Sequence, residues 1–113
     1  MEKTLTMLTE NFESSSGLTR QFQAFSRTFK REFTKLLASL GATGVKISRG
    51  HFDLSGFFQI GERIWYFSIG DVRGNKSNML VRTATSFTDY TGGRNNFVLM
   101  DDEFIDGLKR LIK

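Results

Sequence analysis

The side chains able to do chemistry in this 113-residue chain are few and scattered. Its one histidine, His51, sits in a turn-forming run, Arg49-Gly50-His51, with no serine elbow to make it the base of a nucleophilic pair. Asp53, Asp71 and Asp89 stand in three separate segments. Their convergence on a magnesium ion would make a metal-dependent nuclease, but neither EF-hand nor P-loop spacing joins them. Cysteine is absent, which removes disulfides, thiolate metal sites and thiol nucleophiles. The expectation is a protein that is not an enzyme and needs no cofactor or metal, with the nuclease last among the alternatives.

Cations are the chemistry present in quantity. The formal charge is +4, and residues 17–50 carry seven Lys or Arg against one acid. A block of this kind favours an anionic partner, nucleic acid or a nucleoprotein first. Arg20, Arg27, Arg31 and Lys35 recur at helical spacing and fall on one side of a wheel turning about 100° per residue, with only Glu32 to oppose them. Four such charges would neutralise about three phosphates and make binding steeply salt-dependent. The plainer reading is a solvated helix face.

The element that must hold this row runs from Leu18 to Leu40. Leu18, Phe22, Phe25, Phe29, Phe33, Leu36 and Leu40 share the opposite arc, the pattern of an amphipathic helix. Gly41 or Gly44 should end it, and Ser16 is suited to cap its start after a Ser14–Gly17 joint. Residues 1–16 break any clean alternation and read as an edge strand or a tail. From Val45 the hydrophobic period drops to two. Strands are expected at Val45–Ser48, Phe52–Ile60, Arg63–Ile69 and Met79–Thr85, with a short one at Phe97–Leu99. A last helix opens on Asp101-Asp102-Glu103. The fold class is therefore α+β, a four- to five-stranded antiparallel sheet packed on a long N-terminal helix with a short C-terminal helix.

Gly61-Glu62 suits a two-residue type II′ hairpin turn, which pairs Ile60 with Arg63, Phe58 with Trp65, Gly56 with Phe67 and Leu54 with Ile69. That face is apolar and would floor the helix, with Gly56 leaving room for a bulky neighbour. The other face carries Phe57 and Tyr66 opposite each other, with Lys46 and Arg82 nearby. Aromatics beside cations on an open sheet can stack single-stranded nucleic acid. Alternatively, the C-terminal helix or the N-terminal segment covers them and they are ordinary core. The loops at 70–78 and 86–96 offer Asp71, Arg73, Asp89, Tyr90 and Arg94 as residues for a protein contact.

The runs Phe67-Ser68-Ile69-Gly70-Asp71-Val72-Arg73, Val81-Arg82-Thr83-Ala84 and Asp89-Tyr90-Thr91-Gly92-Gly93-Arg94-Asn95-Asn96 resemble those of small proteins carried by phages and plasmid-like elements. The resemblance covers about a quarter of the chain and implies a mobile-element setting. Such proteins often antagonise host defence, CRISPR nucleases included, so an inhibitor of a host defence protein is the alternative to a nucleic-acid-binding module. The α-β-β-β-α order also resembles double-stranded-RNA-binding domains, but here the last helix opens on acids. No run approaches a membrane span and no signal-peptide core is present, so a cytoplasmic protein without membrane contact is expected. The oligomeric state stays open.

Overall fold

The computed structural model describes residues 1–10, 18–74 and 78–113. The order is α1 (Glu2–Glu10), α2 (Leu18–Ser39), β1 (Ala42–Arg49), β2 (Leu54–Ile60), β3 (Arg63–Ile69), β4 (Asn78–Ala84), β5 (Asn96–Leu99) and α3 (Phe104–Ile112). The strands form one antiparallel sheet in the sequential order β1-β2-β3-β4-β5. The expected α+β class and its five-stranded form are present. The Ser14–Gly17 joint and the Ser16 cap lie outside the described residues, as do residues 75–77 of the first polar loop.

α2 buries Phe22, Phe25, Phe29, Phe33 and Leu37, and each such side chain is worth about 1.5–3 kcal/mol once removed from water. Leu36, expected in the buried arc, is only half-buried, and its neighbour Leu37 is fully buried instead. The arc is wider than one apolar stripe because α2 packs on both flanks: Ser26 is buried on one side and Thr28 on the other. The helix ends where glycine permits it, at Gly41, with φ of +94°.

The hairpin register is the one that a II′ turn dictates, with Ile60 opposite Arg63 and Leu54 opposite Ile69. Gly61 has φ of +62° while Glu62 stays out of the left-handed region. The strand expected from Phe52 begins only at Leu54, because Phe52 itself takes a φ of +63°. Its ring is held between the Phe22 ring at 5.2 Å and the Arg73 guanidinium at 4.2 Å, which offsets a backbone conformation unfavourable for a bulky residue. Gly56 also differs in its reason. What approaches it is the β1 backbone and not a bulky side chain, since a β-carbon there would overlap the Lys46 carbonyl.

Residues 2–10 form a helix, not the edge strand or tail expected of the N-terminal segment. Leu8 enters the core, and Glu32 of α2 accepts hydrogen bonds from the Thr4 hydroxyl (2.6 Å) and the Thr4 amide (2.8 Å). Burial pushes the Glu32 carboxyl up, but these bonds and the nearby amino group outweigh it, and its pKa lies below the ordinary 4.5. A carboxylate held in this way stabilises the fold above its unfolded pKa and loses that contribution as pH falls through the lower, folded value. We expect α1 to detach on acidification below about pH 4.5, seen as loss of the dispersed Thr4 amide resonance by NMR. In Glu32→Gln, α1 docking should be weaker at neutral pH and should no longer respond to acid.

α3 packs on the same face of the sheet as α2, through Phe104 against Phe33 (6.3 Å) and Gly107 beneath Val98. Five strands span about 19 Å, and one helix about 10 Å across covers roughly half of that. Two helices are needed on one face, so neither is left for the other.

Candidate nucleic-acid interface

The row Arg20, Arg27, Arg31 and Lys35 is exposed along α2, and Lys30 is exposed beside it. Glu32, the one acid of that helix, is occupied by Thr4, and among the described residues none of these cations makes an ion pair. Lys30 lies on the flank of α2 that faces β1. There a cleft of about 270 Å³ is lined by Ser26, Arg27, Lys30, Ile47, Arg49 and Leu54. Three cations from two elements converge on it and no acid does. Arg49 also borders a smaller cleft of about 190 Å³ with Thr19, Gln23 and His51. The turn that supplies Arg49 and His51 is the one strained at Phe52 and tied by the Gly50 amide to the Asp53 carbonyl (2.9 Å) and the Val72 amide to the Phe52 carbonyl (2.9 Å). Helical spacing alone missed Lys30 and Arg49. Arg49 could be found only by asking which end of the first strand returns to the helix.

The second candidate surface is assembled as expected but covered. Lys46 pairs with Phe57, Phe57 with Tyr66 and Tyr66 with Arg82, one cross-strand row on the face away from the helices. Neither α1 nor α3 lies over it. The covering segment is the polar loop between β4 and β5, residues 85–95. Its Phe87 stacks on Phe57 at 5.9 Å and fills the space left by Gly44, while Tyr90 tilts against Tyr66 at 5.9 Å. Gly92 and Gly93 have φ of +89° and +73°, and Gly93 presses on the β4 backbone where a β-carbon would overlap the Thr83 carbonyl. Phe57 is buried, and Arg82 lies 5.0 Å over the Tyr66 ring with its Nη1 on Asn95 (3.1 Å). Phe57 and Tyr66 are therefore packed beneath a strap, which corrects their reading as an open stacking platform. The signal for the strap was two aromatics three residues apart in an otherwise polar loop. Phe87→Ala should lower stability by about 1–2 kcal/mol, the value of a half-buried ring, read as a lower urea midpoint with an unchanged m-value.

The three aspartates do not converge. Asp71 accepts the Arg73 guanidinium (2.6 and 2.9 Å) and the Arg73 amide (3.0 Å), and these bonds hold its carboxyl at about 2. Asp89 accepts the hydroxyl and amide of Thr91 and, more loosely, the Thr85 hydroxyl, which lowers its pKa. Among the described residues no three His, Asp or Glu side chains are gathered to hold a metal ion, so the nuclease reading finds no support. Asp71 and Arg73 satisfy each other within their turn, and Tyr90 and Arg94 are exposed, Tyr90 at 58%. No described helix is long and apolar enough to cross a membrane. No protein family, curated protein or solved structure matches the chain.

Proposed function

We propose that the protein binds the phosphate backbone of nucleic acid through the cleft between α2 and β1, with Arg27, Lys30 and Arg49 as the central contacts. Arg20, Arg31 and Lys35 extend the contact along the helix. The observation that carries this reading is the convergence on one cleft, lined by no acid, of three cations that make no ion pair among the described residues. Backbone phosphates are its natural ligand, because a row of cations neutralises them without regard to base sequence. The strap over Phe57 and Tyr66 leaves base stacking little part in this contact, so binding is sequence-tolerant and dominated by salt. Anisotropy titration against single- and double-stranded oligonucleotides at low salt tests it. Affinity should fall with a slope of about −2.7 in log–log form for three phosphates on duplex DNA. Absence of binding at micromolar protein, or affinity indifferent to salt, refutes it.

A second reading is a protein-directed role in a mobile-element setting, such as inhibition of a host defence enzyme. The exposure of Tyr90 and Arg94 on the 86–96 loop, which also holds Asp89, favours it; Asp71 and Arg73 lie in the turn after β3, at the other end of β4. A stoichiometric, nuclease-resistant protein partner recovered from host lysate would favour it over nucleic-acid binding.

A further inference from the structure

We infer that the protein self-associates through the β5 edge, two copies pairing β5 to β5 in antiparallel fashion about a two-fold axis at Val98. β5 bonds to β4 on one side only and ends the sheet. Sheet edges are ordinarily blunted by charge, proline or a bulge. The opposite edge, β1, has such protection in Lys46, Arg49 and a register shift between Ala42 and Gly44. Asn96-Phe97-Val98-Leu99 has none, and it exposes Phe97 at 65% and Leu99 at 58% on its outer face. Along it runs a groove of about 640 Å³, floored by Gly107, Arg110 and Leu111 of α3, with room for another strand.

The occupant is a second copy because the edge matches its own two-fold image. Pairing centred on Val98 sets Phe97 of each copy opposite Leu99 of the other, so the four exposed apolar side chains cover one another. The two-fold also sets Arg94, just before β5, beside the acidic Asp101–Glu103 turn, Asp102 included, that follows β5 of the second copy; Arg94, Asp101 and Glu103 line the groove. Arg94 and Asp102 are exposed, and neither makes an ion pair among the described residues. A four-residue strand buries a small area, so the dimer is weak, with a dissociation constant on the order of 100 µM. The cationic cleft borders β1 at the far edge and stays open in both copies, so success or failure of nucleic-acid binding is a separate result.

Sedimentation equilibrium from about 10 µM to about 1 mM protein tests this. The wild type should pass from monomer to dimer across that range. Arg94→Asp alone and Asp102→Arg alone should each be monomeric throughout, because like charges then face each other at both ends. An equimolar mixture of the two should dimerise again, since the heterodimer keeps one ion pair in its native polarity and restores the other with the charges exchanged. Phe97→Lys should be monomeric, with an unchanged circular dichroism spectrum as proof of folding. A wild type monomeric at every concentration overturns the inference. So does a dimer indifferent to the single swaps, a failure of the mixture to re-form dimers, or binding of the edge by an unrelated extended peptide in preference to a second copy.

Discussion

Converting Arg27, Lys30 and Arg49 together to glutamate should weaken oligonucleotide binding on the order of 100-fold at low salt and flatten its salt dependence. The three residues stand on two elements and meet at one cleft, so their joint removal deletes a site and not merely charge. A control separates the two effects. Arg63→Glu, Lys109→Glu and Lys113→Glu together change the net charge by the same amount from exposed positions outside that cleft. If binding depends only on the overall positive field, both triple variants weaken it equally. If the cleft holds phosphates, the control keeps the salt slope and loses little affinity. For the wild type, a fourfold rise in salt should cost about 40-fold in affinity, as three phosphate contacts require. Equal loss in both variants would remove the cleft from consideration.

How far this site was legible in the sequence depends on what each residue's position rests on. Arg20, Arg27, Arg31 and Lys35 share a helix, and helical period is a local property, so their common exposure follows from spacing alone. The hairpin register was legible for a similar reason: Gly61-Glu62 admits one turn type, and the turn sets every pair down to Leu54 and Ile69. Arg49 was not legible, because its meeting with Lys30 depends on the path of the chain through Gly41 and back along β1. The cover over Phe57 was not legible either. Placing Phe87 on it required knowing that α2 and α3 would share one face, which is a matter of sheet width and helix diameter. Glu32 was misread as a weak opponent of the cationic row for want of α1. Its two bonds to Thr4 take it out of that row, and among the described residues no other acid of α2 stands against the cations.

Phe33→Ala should be the most damaging single substitution in the core, lowering stability by about 3–5 kcal/mol, the usual cost of emptying a buried aromatic site. Phe33 is fully buried and touches four other rings: Phe29 and Phe67 at 5.0 Å, Phe58 at 6.2 Å and Phe104 at 6.3 Å. Those rings belong to α2, to β2 and β3, and to α3, so one side chain ties both helices to the sheet. Domains of this size are stable by about 5–15 kcal/mol in total, and the loss corresponds to a melting temperature lower by roughly 15 °C. Phe57→Ala provides the comparison. It removes a ring of the same size from the opposite face, where the rings packed on it are Tyr66 and Phe87 of the 85–95 strap, with Lys46 opposite it on β1. The strap can close over the gap because it is a loop. The rings around Phe33 cannot, because rigid elements carry them on every side. Thermal unfolding of the two variants should therefore differ, with Phe57→Ala losing no more than about half as much. Equal losses would mean that the strap is as rigid as the helices, and that the outer face is a second core.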